Sequence, residues 1–194
     1  MRDFIEIKNS LLKLLEEKLP AYFYYHSLDH TKYVLQKVQE IAKHELIRDD
    51  HQLILLKIAA LYHDVGYIVS YINHEEESCK ILQEHQDFIG LGNDDLDVIK
   101  RMIMATKIPQ NPKNNLECIL ADADLEYLGT NHFKRIGDLL FKELKHLDIS
   151  LTPQKWVRVQ IDFLENHRYY TAYCLKEKTP IKQNNLNELK GIKL

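Results

Sequence analysis

The sequence predicts an all-α protein built as one domain, and three observations carry that expectation. Glycine and proline are scarce, 6 and 5 of 194 residues, whereas Leu, Ile, Lys and Glu are abundant, a composition that suits helix interiors. Apolar residues return at helical spacing in one segment after another. No stretch alternates apolar and polar residues well enough to compete as a strand. The chain is long enough to bury a core as a single domain, and no repeat, low-complexity tract or shift in composition divides it.

The elements follow in order. Asp3-Phe4-Ile5-Glu6 has capping-box spacing, and Phe4, Ile7, Leu11, Leu14 and Leu15 continue at helical period until Pro20. An aromatic stretch from Ala21 to His30 follows, with Tyr22 to Tyr25 expected to pack in the core. Val34, Leu35, Val38, Ile41 and Ala42 then mark a second helix with His30 near its start. Asp49-Asp50 caps a third helix, whose Leu53, Leu56, Ile58, Ala60 and Leu61 lead into His63-Asp64, with Gly66 as its stop. Asn73 caps the next, and Glu75, Glu76 and Glu77 sit on its positive end. Asn93 caps another that reaches Thr106-Lys107, where Pro109 and Pro112 impose a loop. Leu116 to Leu128 reads as a helix carrying Asp122 and Asp124 and ended by Gly129, and Thr130 to about His146 as one more. Thr152-Pro153 combines an N-cap with proline at the first helical position. It opens a long last helix with Trp156, Val159, Phe163, Leu164, Tyr170 and Tyr173. The domain is expected to span 1–175. Residues 176–194 form a polar tail with little apolar periodicity, expected to be loosely held.

A net charge of −3 with no long run of one sign gives no nucleic-acid signal. The first residues hold no apolar signal core, and no apolar run approaches the ~18 residues of a membrane span. Cys79, Cys118 and Cys174 are far apart and odd in number, which suits reduced, structural thiols and a cytoplasmic location. The oligomeric state is open, and a homodimer is compatible with the sequence.

Chemistry centres on His63-Asp64, at the end of an apolar run. Burying an imidazole beside a carboxylate is costly unless each has a partner. A metal ion would be such a partner, but no single helix can surround one, so ligands must converge from several elements. His30 opens one helix, His63-Asp64 closes another, and Asp122 or Asp124 lies on a later one. Two imidazoles with carboxylates suit a divalent Mn, Fe, Zn, Co or Mg ion and are no thiolate finger.

With this H…HD…D pattern the sequence resembles the HD superfamily of metal-dependent phosphohydrolases, over roughly residues 25–170. Ala59-Ala60-Leu61-Tyr62-His63-Asp64-Val65-Gly66 matches the central pair. Tyr25-His26-Ser27-Leu28-Asp29-His30 resembles the first motif of the cyclic-nucleotide phosphodiesterase branch. The resemblance implies a helical bundle that hydrolyses a phosphoester or phosphoanhydride, in a nucleotide or other small phosphorylated metabolite. It implies His30, His63 and Asp64 as metal ligands, with Asp64 also orienting the attacking water, and His26 as the acid for the leaving oxygen.

The resemblance also implies a last ligand, an Asp in an Ala-Asp-x-Leu-like segment. Leu120-Ala121-Asp122-Ala123-Asp124-Leu125 offers two; Asp124 is preferred and Asp122 is the alternative, the other orienting a ligand from behind. His74 and Glu77 are candidates to line the substrate site. Lys107 and Arg168 are candidates to neutralise a phosphate, although a solvated lysine is an equal reading of Lys107. The later motif of the phosphodiesterases and the Glu-Asp of alarmone hydrolases are absent. Di-iron HD oxygenases carry two further histidines; His74 and His85 lie in the interval, but Thr106-Lys107 stands where the second belongs, which favours one ion over two. A di-iron oxygenase and a non-catalytic nucleotide sensor are the alternatives.

Overall fold

A computed structural model describes residues 1–192 of the chain. Among them run eleven α-helices and no strand: α1 (Phe4–Lys18), α2 (Leu28–His44), α3 (Asp50–Tyr62), α4 (His74–Glu84), α5 (Gln86–Ile89), α6 (Asn93–Ala105), α7 (Asn115–Asp124), α8 (Phe133–Leu147), α9 (Pro153–Asn166), α10 (Ala172–Glu177) and α11 (Thr179–Lys190). Two 3-10 turns, Val65–Ile68 and Glu126–Gly129, extend α3 and α7. The all-α, single-domain architecture is the one the composition predicts.

Helix α3 is the hub. Leu55, Leu56, Ile58, Ala59, Ala60, Leu61 and Tyr62 are all buried, as happens when neighbours cover a helix on every side. Those neighbours are α1, α2, α6 and α7. A second, smaller apolar cluster gathers Tyr25, Leu125, Leu128, Phe133, Leu164 and Leu186 from the far side of the bundle. Among the described residues no helix is long and apolar enough to cross a membrane, and all three cysteines are unpaired.

Several local expectations are corrected. Asp3 caps α1 through Ile5 N–H, but Glu6 pairs with Arg2 rather than closing the capping box. Helix α3 stops at Tyr62, because the His63 ring turns back to donate from Nδ1 to Ala60 O at 2.8 Å. Gly66 is therefore no helix stop. A Cβ there would stand 1.9 Å from His74 O and 2.7 Å from Ser78 N, so glycine is required for α4 to press on the turn. Asn73 precedes α4 in a left-handed conformation without a side-chain cap, and Gly92 rather than Asn93 caps α6. The helix expected to reach Leu128 ends at Asp124.

The long last helix breaks at His167. Asp122 captures the amides of Tyr170 and Thr171, and Thr171 then caps α10. The segment expected to be loosely held instead forms α11 over Thr179–Lys190, packed on α9 and the Glu126–Gly129 turn. Its Leu186 and Lys182 are buried. Lys182 Nζ donates to Leu164 O at 3.1 Å and to His167 O, which satisfies the end of α9. Lys178 and Lys37 pair with the fully buried Glu126.

Candidate metal centre

Three elements bring four side chains to one point. His30 projects from the first turn of α2, His63 and Asp64 from the end of α3, and Asp124 from the last residue of α7. One ligand atom from each lies within 4.8 Å of all the others. His30 Nε2 is 3.1 Å from Asp124 Oδ1 and 3.4 Å from His63 Nε2. A carbonyl oxygen only accepts, so the contact with Ala60 O fixes the proton of a neutral His63 ring on Nδ1 and turns the Nε2 lone pair to the cluster. Ser78 on α4 locks the turn, accepting from Gly66 N–H and donating to His63 O, each at 2.8 Å.

The electrostatics are those of a cation site. Burial opposes charging of His30 and His63, yet Asp124 and Asp64 overcome it and raise both imidazoles above their ordinary pKa. Burial likewise works against the Asp64 and Asp124 charges, but the imidazoles hold Asp64 well below the carboxylate range and lower Asp124 to about 2. Asp64 Oδ2 stands 3.2 and 3.3 Å from the two ring nitrogens in a geometry that makes no hydrogen bond, and is a buried oxygen without a partner. Such an orphan is what a bound cation satisfies. The donor set thus fits a divalent ion with mixed N/O preference.

Asp122 is not part of this cluster. Fully buried, it accepts from Tyr170 N–H at 3.0 Å, and from Thr171 N–H at 2.8 Å and Thr171 Oγ1 at 2.6 Å. Burial raises its pKa to about 6 against the pull of those donors. It anchors the start of α10, and among the described residues no hydrogen bond or ion pair joins it to the four cluster residues.

Around the cluster, His26 and His74 are where the sequence directs attention. His74 Nε2 is 3.4 Å from Asp64 Oδ1, and its ring stacks on Tyr67 at 3.9 Å. His26 is held by a residue that the sequence did not single out. Glu143, on α8 and fully buried, accepts a hydrogen bond from His26 Nδ1. Its other oxygen accepts from the Tyr25 and His26 amides at 2.9 and 3.1 Å. His26 Nε2 lies 3.1 Å from the Tyr67 hydroxyl. The Tyr25 hydroxyl, beside the cluster, is buried without a hydrogen-bond partner.

A cavity of about 270 Å³ opens from Asp64 and Asp124, with His26, Tyr67, His74, Glu75 and Thr106 on its wall. The other substrate-site candidates do not reach it. Glu77 pairs with Lys80 at 2.7 Å, Lys107 with Glu76 on the surface, and the Arg168 guanidinium lies 5.3 Å over the Tyr170 ring. Glu75, next to His74 and two residues before Glu77, lines the cavity instead.

Comparison with known proteins adds one match. The family model described as the HD domain matches residues 27–126, the segment that runs from the cap of α2 just past Asp124. No curated protein and no solved structure matches the chain.

Proposed function

Because the chain belongs to the HD domain family, we propose that it is a metal-dependent phosphohydrolase acting on a phosphoester or phosphoanhydride of a nucleotide or other small phosphorylated metabolite. The observation that carries this reading is the convergence of His30, His63, Asp64 and Asp124 within 4.8 Å beside an open cavity. These four residues would hold one divalent ion. When bound, such an ion polarises a phosphoryl oxygen and lowers the pKa of a water towards neutrality.

The remaining steps belong to the chain. Asp64, whose Oδ1 faces the cavity side near His74, orients the attacking water. His26 presents Nε2 to the leaving oxygen and gives up its proton there, while Glu143, accepting from Nδ1, fixes the orientation of the ring. The Tyr67 hydroxyl keeps Nε2 aimed into the cavity when no substrate is bound. Thr106, on the cavity wall, spends its hydroxyl on Ile103 O at 2.8 Å. It offers no imidazole at the position where two-iron relatives carry one, which supports one ion.

The reading is tested by phosphate release over nucleotides, cyclic nucleotides and simple phosphate esters with Mn²⁺, Co²⁺, Zn²⁺, Fe²⁺ or Mg²⁺. Turnover that vanishes with a chelator and returns with metal is expected. Oxygen consumption with two irons per chain, or tight nucleotide binding without turnover under every metal, would overturn it.

A further inference from the structure

The cavity beside the cluster has two unlike halves. Near Asp64 and Asp124 it is polar, with His26, His74 and Glu75. Beyond them it runs between α8 and α9 over Leu125, Leu140, Leu144, Trp156, Phe163 and Leu164. Among the described residues no lysine or arginine lines either half. The donors on its walls are uncharged phenols, the Gln160 amide, the Trp156 indole and the Thr106 hydroxyl, besides the imidazoles of His26 and His74.

That distribution sets limits on charge. One phosphoryl group at the cluster is balanced by a cation and the imidazoles. A second or third phosphate would lie against Asp64, Glu75 and Asp124, or be drawn from water into an apolar wall with no counter-charge, and both are strongly unfavourable. An apolar group in the same space gains by leaving water, roughly 0.8 kcal/mol per methylene, or about fourfold in affinity. Resting on the hydrolase reading, we propose that the substrate carries a single phosphoryl group on an apolar organic moiety, and that this moiety occupies the channel between α8 and α9.

Trp156, the chain's one tryptophan, lines the channel and reports its occupancy by fluorescence. Methyl-, butyl- and octylphosphonate, which are not hydrolysed, are titrated into the Zn²⁺-loaded protein, with ATP as the polyphosphate probe. Affinity should rise about fourfold per methylene until the channel is filled, and ATP should bind no tighter than methylphosphonate. Equal affinity across the alkyl series, or ATP tighter than octylphosphonate, overturns the proposal. Leu140→Asn and Val159→Asp, both on the channel wall with Val159 itself 46% exposed, should each flatten the chain-length dependence. Leu147→Asn, 43% exposed on α8 and outside the channel, should keep it. A wild-type slope in Val159→Asp also overturns the assignment. Phosphate release from the matching alkyl phosphates separates the two claims. Metal-dependent release without chain-length preference sinks the channel assignment alone, whereas chain-length-dependent binding with no release from any ester sinks the hydrolase reading.

Discussion

Asp122 and Asp124 are one residue apart, yet replacing each with alanine should break different things. Asp122→Ala removes the acceptor from Tyr170 N–H, Thr171 N–H and the Thr171 hydroxyl in a fully buried setting. A buried donor left without a partner costs about 1–3 kcal/mol. Tyr170 is only half-buried and water can reach some of the gap, so the expected loss is about 3–5 kcal/mol. In a protein of this size that lowers Tm by about 10 °C. Asp124→Ala should cost less. Its carboxyl is lowered to about 2 in the folded protein, below its unfolded value, so its ionised form adds stability at neutral pH of about 2 kcal/mol. What Asp124→Ala should lose is the ion. Urea unfolding of metal-free protein, with elemental analysis of the same samples after metal loading, separates the two effects. The assignment is refuted if Asp122→Ala unfolds like wild type but takes up no metal, or if Asp124→Ala still binds a full equivalent.

Other outcomes follow from the same geometry. His26→Ala should keep its metal and lose about 10²–10⁴ in kcat, the usual contribution of a general acid; Glu143→Gln should fall between it and wild type, and wild-type rates in both would remove His26 from the mechanism. Gly66→Ala forces a Cβ onto the backbone of α4, where His74 O would be 1.9 Å away; a loss of at least about 3 kcal/mol in chemical unfolding is expected, and a wild-type midpoint would contradict the packing. His167 is held neutral by burial and by the neighbouring Lys182, with its pKa lowered to about 3. The unfolded chain takes up that proton first as pH falls below about 6.5. Stability is therefore lost from there towards pH 3, by up to about 1.4 kcal/mol per pH unit from this one group. Urea midpoints at pH 7.5 and 5 should show a steeper acid loss in wild type than in His167→Gln.

Much of the site was legible because its residue types are costly to bury and lie at the ends of clear helices. Helical period and the expense of a buried His-Asp pair drew attention to His63 and Asp64, and the resemblance to the H…HD…D motif added His30 and the role of all three as ligands. Asp122 and Asp124 were not separable in the same way, since both follow an alanine and the helix ends at the second of them. Glu143 left no local signal: it lies 117 residues from His26, between Lys142 and Lys145 on a helix that reads as an ordinary charged surface. Lys107 and Arg168 looked like phosphate partners because they flank the right segments, but Glu76 and Tyr170 hold them on the outside. The break of the last helix at His167 and the folding of α11 share one reason. Both depend on partners distant in sequence, Asp122 for the first and α9 for the second, and periodicity reads only what is near.

The central claim is that four side chains hold one catalytic ion. Its most direct test is a calorimetric titration of metal-free protein with Mn²⁺, run beside phosphate release on the same preparation. One equivalent per chain is predicted, absent in His63→Ala, with turnover rising in step with occupancy. Turnover that persists at zero occupancy, or binding that survives His63→Ala, would contradict it.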